Sequence, residues 1–136
     1  MESLSNIKIK ILDKEIASII IDESKTYNSL SFRNLGDLIK AFKKLDNDKN
    51  IKVIIIEGAG KGFSAGHNLK EVNGLKNRAK YQKLFNLCSK LMLHIVEGKK
   101  PVIAKVHGAA FAAGCQLVAS CDLAYSTNDA IFATPG

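Results

Sequence analysis

Residues 53–56 read Val-Ile-Ile-Ile and run through Glu57 into Gly58-Ala59-Gly60-Lys61-Gly62. A short run that is apolar on every side suits a strand covered on both faces, the habit of parallel sheets. Candidate helices flank it. Ser31 is placed to cap one, and Leu35, Leu38, Ile39, Phe42 and Leu45 form its single apolar stripe. A longer helix is predicted from about Lys76, where Tyr81, Leu84, Phe85, Cys88, Leu91, Met92 and Ile95 keep the helical period until Gly98 and Pro101 stop it. Upstream, Ile7, Ile9 and Ile11 alternate with Lys8 and Lys10, and residues 16–21 return after a turn at Asp13-Lys14, which predicts a hairpin. Further strands are expected at 101–106, 122–126 and 131–133, with a short helix over 115–120. Strands alternating with helices place the chain in the α/β class.

At 136 residues, one domain is expected. An apolar fraction of 46% against 24% charged excludes wholesale disorder. The net charge is +7, but the lysines are scattered and no run reaches five. With six Phe, three Tyr and no Trp, none alternating with basic residues, nucleic acid is not an expected partner. A small polyanionic ligand fits the charge better. No apolar stretch is long enough to span a bilayer, so no membrane partner is expected. The amino end has neither the apolar centre of a secretory signal nor the arginine-rich look of a transit peptide. Three cysteines without a paired motif fit a reducing compartment, and the cytoplasm is expected. No His, Cys or carboxylate set has metal-ligand spacing.

The glycine-rich loop invites a nucleotide reading and fails it. A P-loop would need Gly where Ile55 stands and Ser or Thr where Gly62 stands, and a dinucleotide fingerprint would need Gly at Phe63. A phosphate-binding domain would rest on Gly58-Ala59-Gly60-Lys61-Gly62 alone. More informative are two small-residue patches, Phe63-Ser64-Ala65-Gly66-His67-Asn68-Leu69 and Gly108 to Gly114, the second leading into a helix. Small residues leave backbone N–H groups open, and a helix start adds unpaired donors. One amide from each patch could hold a single carbonyl oxygen as an oxyanion hole. Close backbone packing explains the same residues equally well.

Both segments resemble the signatures of the crotonase (enoyl-CoA hydratase/isomerase) family. VIIIEGAGKGFSAGHNLKEV resembles the first, and KPVIAKVHGAAFAAGCQLVASCDLAYSTNDAIFATPG the second, with Tyr27-Asn28-Ser29-Leu30 similar to the family's N-x-L stretch. Cys88 to Ile95, Ala112 to Asp122 and Phe132 to Gly136 look most like the branch of enoyl-CoA hydratase domain-containing proteins of type 3. The resemblance implies a crotonase-like (ClpP/crotonase) spiral of ββα units, truncated, with residues 1–136 as a partial acyl-CoA-binding domain, the N-terminal half. It implies coenzyme A thioester as substrate, no bound cofactor, and trimers or hexamers in full-length members. A mitochondrial matrix location is also possible by family. The oxyanion amides map to Ala65 and Ala113. The acyl-CoA arm maps to Phe63, Ser64, Ala65, Gly66, His67, Asn68 and Leu69, with Lys25 near the nucleotide and Lys70 a weaker candidate.

The catalytic acids depart from the family. Its two glutamates fall on Gln116 and Gly136. Gln does not titrate near neutral pH and Gly has no side chain, so hydratase activity should be weak or lost while binding remains. His67 is expected to point to solvent, and His94 and His107 to be structural. Cys88 and Cys121 read as core, Cys115 as an inert neighbour of the site, and Asp122 as a structural hydrogen-bonding residue. The alternative is a non-catalytic remnant or split-gene fragment that needs a partner to fold.

Overall fold

The computed structural model describes residues 2–4 and 6–135, with side chains from residue 6 onward. Strands β1 (Glu2–Leu4), β2 (Ile7–Asp13) and β3 (Ile16–Ile21) form an antiparallel meander. Beyond β3 the pairing turns parallel, through β4 (Val53–Gly58), β5 (Val102–Val106) and β7 (Leu123–Ser126). The six strands lie in the order β1-β2-β3-β4-β5-β7. A second, two-stranded parallel sheet pairs β6 (Ala109–Phe111) with β8 (Ile131–Ala133).

Helices make the parallel crossovers. Helix α1 (Phe32–Asp46) links β3 to β4; α2 (Leu69–Gly74) and α3 (Arg78–Glu97) link β4 to β5; α4 (Ala113–Ser120) lies between β6 and β7. The Ser31 hydroxyl accepts the Asn34 amide, and the Asn77 carbonyl oxygen of its side chain accepts that of Lys80, so each long helix begins at a side-chain cap. The predicted stripe of α1 is buried as expected, against α3, β2 and β3. Each such side chain contributes about 1.5–3 kcal/mol when it leaves water.

Three expectations are corrected. Ile11 is 54% exposed although it still pairs in register with Ala17; the core face of β2 ends at Ile9, and the register shifts only beyond Ile11. Phe85 is 47% exposed; Leu84, Cys88, Leu91, Met92 and Ile95 alone form the buried stripe of α3. The segments 69–74 and 109–111, where no helix or strand is expected, form α2 and β6. Among the described residues, no helix is long and apolar enough to cross a membrane.

Candidate functional site

The two small-residue patches lie directly against each other. Ser64 pairs with Ala110 in a parallel bridge. The amides of Phe63 and Ser64 both donate to the Ala109 carbonyl, at 3.0 and 3.1 Å, and the Phe111 amide donates to Ser64 at 2.9 Å. Two glycines permit this approach. At Gly114 a Cβ would stand 2.3 Å from the Ser64 carbonyl oxygen. At Gly66, with φ +95°, it would stand 3.2 Å from the Ala113 nitrogen. The contact at Gly114 leaves no room for a side chain, and Gly66 holds a φ that side chains rarely adopt.

The hydrogen bonds of the first patch decide which of its amides can serve a ligand. The Ala65 amide donates to the Tyr27 carbonyl at 3.0 Å, and the Gly66 amide to the Ser64 hydroxyl at 3.2 Å. His67 is the first residue of the loop whose amide has no acceptor among the described residues. Ala65 is therefore engaged, and the open donor lies two residues later. In the second patch Ala113 is the first residue of α4, and the first helical bond runs from Gln116 to Ala112 at 3.0 Å. The amide of Ala113 thus has no acceptor within the helix. Ala112 aims it from φ 51°, ψ −121°, a strained conformation for a residue with a Cβ.

Tyr27 owes its position to Asn28. Both residues adopt φ 54°. The Asn28 side chain accepts from the Glu23 amide at 2.8 Å and donates to the carbonyls of Ala59 and Gly62 at 2.8 and 3.0 Å. Its own carbonyl accepts from the Ser64 hydroxyl at 2.7 Å. Asn28 is buried and ties the loop between β3 and α1 to the loop between β4 and α2. The N-x-L stretch hinted at this residue, but not at what it binds.

A cavity of about 840 Å³ opens beside this knot. Lys25, Ser64 and Ala65 line it, as does Lys61, which sequence reasoning did not assign to a ligand. Both lysines are exposed, giving the mouth a cationic edge. Phe63 is wholly buried and Gly66 is buried, so both serve packing. Asn68 caps α2 by accepting the amides of Lys70 and Glu71, and Leu69 is 73% exposed. His67, Asn68, Leu69 and Lys70 do not line the cavity.

His67 does not point freely to solvent. Its Nδ1 lies 3.2 Å from the Leu30 carbonyl oxygen, and its ring meets Phe85 edge-on, with centroids 5.3 Å apart at 77°. His107 Nε2 lies 2.6 Å from the Gly60 carbonyl oxygen, a bond between loops, and Asp122 accepts the Val102 amide at 2.8 Å. Cys121 is half-buried and its thiol donates to Leu117; burial first and Asp122 second push it up to about 12. Burial also raises the Cys88 thiol. Among the described residues no group of three metal-ligating side chains is assembled.

Residues 12–136 match the family model described as enoyl-CoA hydratase/isomerase. The chain belongs to the enoyl-CoA hydratase/isomerase family. It is similar to the human enoyl-CoA hydratase domain-containing protein 3, mitochondrial, with 44% identity over 89% of this chain and 40% of that protein. The crystal structure of the human domain-containing protein 3 superposes with a TM-score of 0.91 at 42% identity, covering 97% of this chain and 52% of that one. An enoyl-CoA hydratase structure from Mycobacterium smegmatis gives a TM-score of 0.91 at 40% identity, over 95% and 50%. The fold is thus the crotonase fold, and the chain spans about half the length of these relatives. Within the family's frame Gln116 sits exposed on the first turn of α4. Gly136, the other expected acid position, lies outside the described residues.

Proposed function

We propose that this chain binds a fatty acyl-CoA thioester, with the thioester oxygen held by the amides of His67 and Ala113. The observation that supports it most is the close approach of the two patches: a Cβ at Gly66, the residue before His67, would stand 3.2 Å from the Ala113 nitrogen. Donors fixed before the ligand arrives need no reorganisation as charge grows on the oxygen. Ala65, the donor expected from the resemblance, is replaced by His67 in this reading. The cavity edged by Lys25 and Lys61 takes the anionic nucleotide arm.

Hydration is weak in this reading. A positioned acid or base contributes about 10²–10⁴-fold in rate, and Gln116 can hold a water without taking its proton. The assembled protein would be a trimer or hexamer, as the family suggests. A reducing compartment, cytoplasm or mitochondrial matrix, suits three free cysteines. Calorimetric titration with coenzyme A and crotonyl-CoA, paired with a hydration assay, tests the proposal. Binding with little turnover supports it; a folded chain that ignores both ligands contradicts it.

A second reading has its own observation. Every residue of β7 is exposed, and Leu123, Tyr125, Ile131 and Phe132 are 44–65% exposed. A parallel strand is normally covered. In this reading another polypeptide segment covers β7 and β8 and is needed for folding. A cooperative melt of the isolated monomer would count against it.

A further inference from the structure

We propose that the imidazole of His67 is the acid–base group of this site, moving a proton at the carbon next to the thioester carbonyl. This rests on the acyl-CoA reading above and adds to it a chemical step.

The argument starts at Leu30. A carbonyl oxygen only accepts, so the 3.2 Å contact with Nδ1 assigns the ring hydrogen to that nitrogen. Neutral imidazole then carries its lone pair on Nε2. The ring is held on a second side by Phe85, an aromatic left exposed on α3 although the helix has a core stripe beside it. A base whose other nitrogen is fixed by a backbone carbonyl has a defined direction of attack. The same residue supplies the open amide, and in this proposal a thioester oxygen resting on the His67 N–H presents the neighbouring carbon to Nε2 of the same residue. The family's acid position on α4 holds Gln116, which cannot do this work. Glu71, the carboxylate four residues along, is tied to the Phe32 amide at 2.9 Å.

The step balances without another reagent. The Cα–H bond breaks, its proton passes to Nε2, and its electron pair forms an enolate whose oxygen charge rests on the amides of His67 and Ala113. Return of the proton to Cα restores the thioester. In D2O the imidazolium exchanges with solvent first, so one deuterium replaces one hydrogen. With a 3-enoyl thioester, return at the far end of the dienolate shifts the double bond.

The test incubates the chain with butyryl-CoA in D2O and follows the mass of the thioester. Exchange is expected, with a loss of about 100-fold or more in His67→Ala and recovery on adding free imidazole. Exchange at the unsubstituted rate in His67→Ala would overturn the proposal, as would a variant that stays folded and is not rescued. Nitrogen-15 spectra of the unsubstituted chain give a second measurement that needs no variant. Hydrogen on Nδ1 supports the assignment; hydrogen on Nε2 overturns it. Binding of butyryl-CoA without exchange contradicts this proposal alone, whereas absence of binding contradicts the acyl-CoA reading and this step with it.

Discussion

The carbonyl of Tyr27 accepts the amide hydrogen of Ala65 at 3.0 Å. These residues are far apart in the chain, and their contact moves the open donor of the first loop from Ala65 to His67. The contact depends on Asn28, whose side chain ties Glu23, Ala59 and Gly62 to one point.

Asn28→Ala removes all three bonds and leaves two carbonyls and one amide without their partner. Unsatisfied buried groups cost about 1–3 kcal/mol each, so a loss of about 3 kcal/mol or more is expected in urea unfolding. Asn28→Gly keeps the positive φ without strain and loses the same bonds. It should fall between the wild type and Asn28→Ala. Equal stability of Asn28→Gly and the wild type would show that only the backbone conformation matters.

The contact between loops predicts a strong effect at Gly114. A Cβ there meets the Ser64 carbonyl at 2.3 Å, and backbone atoms on both sides must move. Gly114→Ala should lower the melting temperature and weaken binding of coenzyme A thioesters together, as read by calorimetry. Gly36 is the matched control: it sits inside α1 with open space around its Cβ position. Gly36→Ala should stabilise by about 0.5–1 kcal/mol.

Ala112 stores strain beside the Ala113 donor at φ 51°, ψ −121°. Such conformations cost about 1–3 kcal/mol for residues other than glycine. Ala112→Gly should therefore raise stability by about 1 kcal/mol in thermal unfolding, without loss of thioester binding. A destabilised Ala112→Gly would show that the backbone is not strained there.

Much of the fold was legible because its elements depend on near neighbours. The stripe from Leu35 to Leu45, the Ser31 cap and the apolar run from Val53 to Ile56 depend on local period and capping. The two patches were legible as a pair through their family signatures. The identity of the open amide was not, because the Tyr27 carbonyl that engages Ala65 arrives through tertiary structure. Phe85 has the same lesson: period alone put it on the core stripe, and the width of the buried face excludes it. Segments as short as α2 and β6 depend on packing rather than on propensity, so their sequences carry no helix or strand signal.

Cys121 predicts a stability change in alkaline solution. Its thiol rises from an ordinary 9.0 to about 12 in the folded chain, by burial first and Asp122 second. Between these values the folded state binds more protons than the unfolded state, so stability falls as pH rises. The contribution is complete below about pH 9 and is lost as pH approaches 12. Cys121→Ala should flatten that part of the pH–stability curve. An unchanged slope would assign the loss to other groups.

Gln116→Glu restores a carboxylate on the first turn of α4, where negative charge is favoured by the helix dipole. Hydration of crotonyl-CoA should rise by about tenfold or more. No gain in a variant that binds the thioester would show that position 116 does not face the reacting carbon.

The most direct measurement is of backbone amide proton shifts as butyryl-CoA is added. The amides of His67 and Ala113 should move downfield together as they take the thioester oxygen, while that of Ala65 keeps its bond to Tyr27 and stays nearly still. Movement of Ala65 in place of His67, or a saturated complex in which neither His67 nor Ala113 moves, would contradict the account.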